Sequence, residues 1–298
     1  MENKVSGPTY VGVLGATSFV GISFLQRLQN SSISVIAYTR GKKNIPSNSV
    51  DWRRLKFELP ASSDIKSEHV IPLWVCLAPI AVLPEYFKLL EVHGARRVVA
   101  LSSTSRFTKN NSSDLNEQIS CKRLVDAEAR IQEWAESRGI EWIILRPTLI
   151  YGCGQDRNIA EITRFIRRFG FFPILGEACG LRQPIHVQDV AGACLASLQS
   201  PGSVNRAYNI SGAETLTYRE MIMRIFAALD KTPLLISIPL WMFSAAVFAA
   251  RCVPRYRKWS SAMAERMNSD MIFDHSEVKR DFEFKPRKFL LSEEDLPT

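Results

Sequence analysis

The sequence contains few of the residues that build metal sites and disulfide frameworks. Its 298 residues include 6 Cys and only 4 His. No two cysteines are spaced as Cys-x-x-Cys and the histidines are scattered, so no metal site is expected. Gly and Pro number 15 each, and 46% of the residues are hydrophobic. This composition excludes a collagen-like or disordered chain and predicts a globular protein.

Charge of one sign is also in only modest excess. Lys and Arg number 38 against 30 Asp and Glu, which gives a net charge of +8. Such an excess suits an anionic cofactor, an anionic substrate or a membrane surface. The basic residues follow no nucleic-acid-binding motif, so nucleic acid is not expected as a partner. The first residues lack an apolar signal core, and the cysteines are expected to be reduced, so we predict a cytoplasmic location.

Long hydrophobic runs are absent except for one uncharged stretch, residues 233–250. It is near the minimum length of a membrane span, but Pro233 and Pro239 interrupt it. Three interpretations stay open: a transmembrane helix, a helix buried in the protein, or a helix lying on a membrane. In the third, residues 240–258 make peripheral membrane contact, aided by the basic residues Arg251, Arg255, Arg257 and Lys258.

Apolar strand-like runs alternate with helix-period segments in the first half of the chain. Tyr10–Leu14 is predicted to be a strand, Phe19–Leu28 a helix, and residues 83–93 and 115–138 further helices. This alternation predicts an α/β fold with a Rossmann-type, doubly wound parallel sheet. After about residue 150 the alternation loosens. We therefore expect a Rossmann domain over 1–150 and a smaller part over 151–298 that is interleaved with it.

A glycine-containing turn follows the first predicted strand. The strand ends at Gly15, and Gly21 opens the helix. Glycines let the backbone approach a pyrophosphate, and the helix N-terminus supplies free N–H groups and a positive dipole end. We therefore predict a dinucleotide site here; an ordinary strand–helix turn is the alternative. The candidate cofactor-binding residues of this turn are Gly15, Thr17, Ser18, Phe19, Val20 and Gly21.

The end of the second predicted strand discriminates between nicotinamide cofactors. NAD sites place an acid there for the ribose hydroxyls, whereas NADP sites favour a cation for the 2′-phosphate. Here the strand is followed by Arg40, with no acid nearby. The sequence therefore favours NADP(H) over NAD(H), with a solvated turn residue as the alternative role of Arg40.

Seven segments in chain order resemble the short-chain dehydrogenase/reductase superfamily, in its extended or atypical branch of NAD(P)-dependent epimerases and dehydratases. They are LGATSFVG, VVALSSTS, the helix that carries Lys122, LRPTLIYGCGQDRNI, QPIHVQDVA, YNISGAETLTYREM and RDFEFKPRKF. The resemblance covers nearly the whole chain. It implies a Rossmann fold whose C-terminal part, 151–298, binds the substrate.

The resemblance also implies the remaining cofactor contacts. The family's GxxGxxG pattern falls on Gly15, Ser18 and Gly21, and Ser18 departs from it; a serine fits if its φ is ordinary. By position in the family, the other residues implied at the cofactor are Glu58 and Leu59 beside the adenine, Cys76, Leu77 and Ala78 past the nicotinamide ribose, Lys122 on that ribose, and Pro147 and Thr148 near the carboxamide.

The family's catalytic trio is Ser or Thr, Tyr and Lys. The resemblance places Thr104 in the first role, with Ser103 as the fallback, and Lys122 in the third. The Tyr position, four residues before Lys122, is occupied by Gln118, whose amide cannot transfer a proton near neutral pH. Three explanations stay open: an acid from elsewhere, with Tyr151 as the candidate; cofactor binding without turnover; or a wrong register.

Two further residues complete the implied site. His186 lies in a segment resembling the family's His-Val-x-Asp-Val, where the pair fixes the interface between the two parts. Arg182 is a candidate for a substrate phosphate, with surface solvation as the alternative. Ser103, Gln118 and Arg182 are thus the predicted substrate residues.

Together these features imply an NADP(H)-dependent oxidoreductase, epimerase or dehydratase. Its substrate is expected to be a small molecule, phosphorylated or nucleotide-linked: a nucleotide sugar or a related polar carbonyl or alcohol. The alternative is a non-catalytic NADP(H)-binding protein with a structural or sensing role, like the family's respiratory-complex relatives.

Overall fold

The computed structural model describes residues 10–29, 31, 33–41, 50–55, 69–110, 112–239 and 266–297. Two sequence predictions lie outside the described residues: the adenine contacts Glu58 and Leu59, and the membrane-contact segment 240–258. Within the described ranges, no helix is both long and apolar enough to cross a membrane.

Parallel β-strands form the centre of the molecule. In chain order the strands are β1 (Tyr10–Leu14), β2 (Ser34–Thr39), β3 (Val50–Arg54), β4 (Leu73–Cys76), β5 (Arg97–Leu101), β6 (Glu141–Pro147), β7 (Ile150–Tyr151), β8 (Phe172–Leu175), β9 (Leu181–Arg182), β10 (Ile185–His186), β11 (Arg206–Ile210), β12 (Leu216–Thr217) and β13 (Leu235–Ile238). Seven of them form one sheet in the order β11-β6-β5-β4-β1-β2-β3, and every pairing in it is parallel. From β1 the sheet grows to one side through β2 and β3 and to the other side from β4 onward. The strand order therefore reverses between β1 and β4, where open α/β folds place their ligand crevice.

Helices cover both faces of this sheet, as the strand pattern predicts. In chain order they are α1 (Phe19–Leu28), α2 (Phe87–Val92), α3 (Ser105–Thr108), α4 (Leu115–Ser137), α5 (Ile159–Phe169), α6 (Val187–Gln199), α7 (Tyr218–Ala228) and α8 (Ser276–Phe282), with 3-10 helices at Ile80–Tyr86 and Glu293–Asp295. α1 and α6 pack on one face, and α4 with the first 3-10 helix on the other. The predicted Rossmann-type, doubly wound fold is therefore confirmed.

One predicted helix is divided. Residues 83–93 were expected to form a single α-helix, but the segment begins as a 3-10 helix over Ile80–Tyr86 and continues as α2. Pro84 lies inside the 3-10 stretch and cannot donate a backbone hydrogen bond. Because that donor is missing, the segment around Pro84 forms a short 3-10 helix, and the α-helix begins only after it, at Phe87.

The C-terminal half forms a smaller part with its own apolar core. α5 and α7 pack together beside the two-stranded pairs β8–β13 and β9–β12. The same half also returns to the first: β11 pairs with β6 at the edge of the main sheet, and Val278 and Phe284 are buried in its core. Elements after residue 150 thus complete the Rossmann core, as an interleaved chain requires.

Candidate functional site

The crevice between β1 and β4 is formed by two backbones in close contact. Gly15 has a φ of +79°, and a Cβ atom built on it would lie 2.2 Å from the backbone nitrogen of Ala78. A Cβ on Gly21 would lie 2.3 Å from the carbonyl oxygen of Gly15. Only glycine fits at either position, so the turn and the first turn of α1 stay close to the strand ends.

The N-terminus of α1 has the form that a pyrophosphate needs. Ser18 is the N-cap, with a φ of −72°, and its Oγ accepts a hydrogen bond of 3.0 Å from the amide of Gly21. Because this φ is ordinary, the serine fits where the family has a glycine. The amides of Phe19 and Val20, in the first helical turn, have no intrahelical acceptor and remain available to phosphate oxygens. These residues therefore fit a dinucleotide.

The corner at the ends of β2 and β3 is basic. Arg40 follows β2 directly and is exposed. In the register of the sheet, Arg54 of β3 lies opposite Thr39, the residue before Arg40, and is also exposed. The sequence analysis missed Arg54, because only the strand register brings it to this corner. Among the described residues that end β2 and follow it, Thr39, Arg40 and Gly41, none is an acid.

The end of β4 forms the other wall of the crevice. Cys76 is fully buried, and burial raises the pKa of its thiol to about 12, so it remains a neutral thiol. Leu77 is buried as well, and its amide donates to the carbonyl of Leu14 across the crevice at 2.8 Å. Cys76, Leu77 and Ala78 thus line the crevice at the end of β4, and their contact with a cofactor stays a prediction.

A cleft of about 340 Å³ opens between the strand ends and α4. Its lining combines an apolar floor, four serine hydroxyls and two cations. The lining residues are Pro79, Ile80, Ala81, Leu101 and Leu124; Ser102, Ser103, Ser105 and Ser120; and Lys109 and Arg123. The cleft adjoins the crevice at the end of β4, so a ligand here would lie next to a cofactor in the crevice.

The face of α4 that lines the cleft is not the one that carries Lys122. Ser120, Arg123 and Leu124 line the cleft. Lys122 lies about 200° of helical rotation from Leu124, and it is exposed. The buried side of α4 confirms this orientation, because it consists of Cys121, Ala127, Glu128, Ile131, Trp134 and Ala135.

Gln118 is likewise turned away from the cleft. It lies about 200° from Ser120 around α4, and its Nε2 donates a hydrogen bond of 2.8 Å to the carbonyl of Ser112. The residues four apart on the cleft-lining face are Ser120 and Leu124. The predicted Gln118–Lys122 pair therefore does not line the cleft. The residues two positions further along the helix, Ser120 and Leu124, line it instead.

Of the two hydroxyls considered for the first catalytic role, the fallback Ser103 lines the cleft and Thr104 does not. Thr104 is buried, and its Oγ1 donates to the carbonyl of Pro147 at 3.1 Å. It does not line the cleft, whereas Ser103 does. The Ser103 hydroxyl donates to Ser105 Oγ at 3.0 Å, so these two hydroxyls form a connected polar edge. Thr148 Oγ1 is also engaged, with the carbonyl of Gln183.

Tyr151 is not available as an acid. Its side chain is fully buried in the C-terminal core, edge-on to the rings of His186 and Phe289. Its hydroxyl faces the carbonyls of Lys288 and Leu290 at 3.4 and 3.5 Å. Burial, with the nearby carboxylate of Asp295, raises the pKa of Tyr151 well above its ordinary value. The prediction that Tyr151 replaces the missing acid is wrong, because its hydroxyl points into the protein.

Arg182 has neither of the roles considered for it. It is 4% exposed, which excludes a solvated surface residue. Its Nη1 donates to the carbonyls of Leu181 and Ser269, both at 2.7 Å, and its guanidinium lies 5.5 Å from the ring centre of Tyr218. These bonds hold the guanidinium in the protein, joining β9 to the chain after residue 266, so a substrate phosphate is a poor fit.

The His-Val-x-Asp segment joins the two parts of the chain. His186 Nε2 lies 2.9 Å from Asp295 Oδ1, and its Nδ1 accepts the amide of Gln188 at the start of α6. Asp189 pairs with Arg287 at 3.0 Å. Both contacts fasten the C-terminal segment to α6, which is the interface role that the resemblance implies.

A buried carboxylate under the cleft was missed by the sequence analysis. Glu128 is 4% exposed; it pairs with Arg146 at 2.6 Å and with Arg106, and accepts the hydroxyl of Ser102 at 2.5 Å. These partners hold the end of β5 against α4 and neutralise the acid. The sequence did not predict this burial, because a glutamate is usually an exposed residue. Among the described residues there is no group of three side chains that could hold a metal ion.

Comparison with known families gives one match. The profile described as the NAD dependent epimerase/dehydratase family matches residues 83–211. This range begins in the first 3-10 helix and includes α4, β6 and β11.

Two curated relatives are of different kinds. The first is NADH dehydrogenase (ubiquinone) 1 alpha subcomplex subunit 9, mitochondrial, of Arabidopsis thaliana, 26% identical over 251 residues, or 80% of this chain and 62% of that protein. The second is UDP-glucose 4-epimerase of Vibrio cholerae, 22% identical over 167 residues, or 55% of this chain and 48% of that protein. The chain thus matches about half to three fifths of the length of these relatives.

A solved structure shares the fold over nearly the whole chain. It is UDP-glucuronic acid 4-epimerase from Bacillus cereus in complex with UDP-glucuronic acid and NAD, 14% identical, with a TM-score of 0.69. The match covers 93% of this chain and 94% of that one. At this identity the likeness establishes the α/β fold with its smaller C-terminal part, and no more.

Proposed function

This chain belongs, through residues 83–211, to the NAD dependent epimerase/dehydratase family, and from that membership we propose that it binds NADP(H) without the family's Tyr–Lys proton transfer. In this proposal the protein has a structural or sensing role that depends on the bound cofactor. The family membership supports nucleotide-cofactor binding; the choice of NADP(H) and the loss of proton transfer rest on this chain's own residues.

One observation carries the proposal: the cleft-lining face of α4 presents Ser120 and Leu124 at the four-residue spacing of the family's Tyr and Lys. Leu124 has no proton to transfer and no charge to hold a ribose or lower a neighbouring pKa. Tyr151 is buried, and Lys122 is on the opposite side of the helix. None of the residues considered for proton transfer thus reaches the cleft as a phenol or an ammonium.

The cofactor is expected to lie across the β1–β4 crevice. Its pyrophosphate would meet the free amides of Phe19 and Val20, while Gly15 and Gly21 keep the backbone close enough for that contact. When bound, a nicotinamide cofactor supplies hydride chemistry, and Arg40 with Arg54 would supply charge for a 2′-phosphate.

The test of this proposal is a titration followed by a turnover assay. NADPH fluorescence should change on binding and then stay constant when UDP-glucose, UDP-glucuronic acid or small aldehydes are added. Oxidation of the bound NADPH, or reduction of bound NADP+, faster than in a protein-free control would refute the non-catalytic role. No binding of either cofactor would refute the proposal altogether.

The proposed cofactor preference gives a separate prediction. Wild type is expected to bind NADPH about tenfold or more tightly than NADH, because a charged hydrogen bond to phosphate contributes roughly 1.5–3 kcal/mol. Arg40→Ala should reduce that preference and leave NADH binding nearly unchanged. Calorimetric titration of both cofactors measures it, with Arg27→Ala as a control outside the corner. Equal affinities in wild type would contradict the prediction.

A second candidate function, an active oxidoreductase, epimerase or dehydratase, is favoured by the polar lining of the cleft. Ser103, Ser105 and Ser120 place hydroxyls beside the expected nicotinamide, where a polar carbonyl or alcohol, including that of a nucleotide sugar, would fit. The Vibrio relative named as an epimerase supports this candidate, and the Arabidopsis relative named as an NADH dehydrogenase subunit supports the first. The turnover assay above detects a net oxidoreductase. An epimerase or dehydratase regenerates its cofactor, so it is detected by chromatography of UDP-glucose and UDP-glucuronic acid incubated with the NADP+-bound protein: a new sugar product would refute the non-catalytic role.

A further inference from the structure

The described residues that line the cleft carry charge of only one sign. Lys109 and Arg123 line it, and none of the other described lining residues is acidic. Glu128, the buried acid beneath Ser102, is neutralised by Arg106 and Arg146. The empty space of the cleft therefore faces cations and hydroxyls rather than carboxylates.

Both cations retain charge for a ligand. Lys109 pairs with Glu117 at 3.4 Å, but Glu117 is also paired with Arg266, so this group of three carries a net positive charge. Arg123 has no carboxylate partner within the part of the chain that the structure describes. A guanidinium in that state has five donors free for an anion, and its planar geometry suits phosphate or carboxylate.

The serine hydroxyls of the cleft suit the uncharged, polar part of an anionic ligand. Ser103 and Ser105 are hydrogen-bonded to each other along one edge, and Ser120 lies on the α4 side next to Arg123. The hydroxyl of Ser103 donates to Ser105, and that of Ser120 donates to the carbonyl of Asn116 at 2.7 Å, so both face a ligand as acceptors, while Ser105 can still donate. Sugar hydroxyls can donate to the first two and accept from the third. The volume of about 340 Å³ is near the lower end of small-molecule pockets, which fits a single sugar-sized group better than an extended one.

We infer that the cleft binds a small anionic polyol, with its phosphate or carboxylate on Arg123 and Lys109 and its hydroxyls on Ser103, Ser105 and Ser120. This inference rests on the proposed function, since the ligand would lie beside the bound cofactor. The charge of the ligand would thus meet residues on α4 and the loop before it, whereas Arg182 is held by backbone carbonyls.

Calorimetric titration with three probes tests the inference. Glucose 6-phosphate, glucuronic acid and glucose are each titrated into the full chain, with and without saturating NADPH. One or both anions should bind about tenfold or more tightly than glucose, and raising the salt concentration should weaken only the anions. Binding of one anion but not the other identifies phosphate or carboxylate as the group recognised.

Matched variants locate the site. Arg123→Gln and Lys109→Gln should each weaken the binding of the preferred anion by about tenfold. Arg130→Gln is the control, because Arg130 is exposed on the same side of α4 two turns further on and does not line the cleft. Circular dichroism checks that all three variants are folded.

The outcomes separate this inference from the proposed function. Glucose bound as tightly as the anions, or an anion affinity that Arg123→Gln and Lys109→Gln leave unchanged, would overturn the inference even when NADPH binds normally. Failure of NADPH to bind would overturn the proposed function, and the titrations without NADPH would still decide whether the cleft holds an anion.

Discussion

Replacing Ser120 by Tyr and Leu124 by Lys together is expected to raise NADPH oxidation with small carbonyl substrates by about 100-fold or more. The double variant would place a phenol and an ammonium four residues apart on the face of α4 that lines the cleft. General acid–base participation is typically worth about 10²–10⁴-fold, and the ammonium would lower the phenol pKa. The loss of NADPH absorbance in the presence of aldehydes, compared with wild type, measures the gain.

The control for this experiment uses the other side of the same helix. Gln118→Tyr creates a phenol four residues before the native Lys122, but the pair would lie about 200° from the cleft-lining residues. No gain is expected from it. A gain with Gln118→Tyr and none with the double variant would show that the reacting groups meet the Lys122 side of α4.

Replacing Asp295 by Asn should lower the free energy of unfolding by about 1.5–3 kcal/mol at pH 7, the usual contribution of hydrogen bonds to a charged group. Asp295 is 7% exposed and lies 2.9 Å from His186. It also accepts the amides of Cys153 and Ser292, so one carboxylate joins three segments. Urea unfolding measures the loss. Glu294→Gln, an exposed neighbour, should change stability by less than about 0.5 kcal/mol.

The same residue predicts a dependence of stability on pH. Burial alone would raise the pKa of Asp295, but hydrogen bonds from His186, Ser292 and Cys153 outweigh burial and hold the pKa well below its ordinary value. A carboxylate with a depressed native pKa stabilises fully above its unfolded pKa, about 4, and loses that contribution as the pH falls further. The stability difference between wild type and Asp295→Asn should therefore shrink from pH 7 to pH 3. A difference that grows over this range would contradict the assignment.

The local pattern of the first βα unit was sufficient to predict it. Tyr10–Leu14 and Phe19–Leu28 have the predicted bounds, because an apolar strand, a turn that only glycine fits and a helix with one apolar side all favour the same structure. The ordinary φ of Ser18 also agrees with the condition set by its departure from glycine. Arg54 could not be found this way, since its place opposite Thr39 depends on the pairing of β2 with β3 and not on the local sequence.

The orientation of α4 could have been read from the sequence. Leu124, Ala127, Ile131 and Trp134 follow the helical period and define the side that faces the sheet, and Lys122 lies opposite them. The motif spacing, which indicates the Gln118–Lys122 face, conflicts with this periodicity. The environments of Tyr151 and Arg182 could not be predicted, because each side chain meets at least one carbonyl from a residue more than 80 positions further along the chain.

The interleaving of the two halves constrains how the protein is made. The edge strand β11 pairs with β6, and Val278 and Phe284 fill the core beside α1 and α6. A ribosome extending the chain will have released β1 through β6 long before these residues emerge. During that interval β6 is an unpaired sheet edge, and the hydrophobic surface that Phe284 covers is open to water. The nascent Rossmann half is therefore expected to need shielding from other chains until Phe284 has been synthesised.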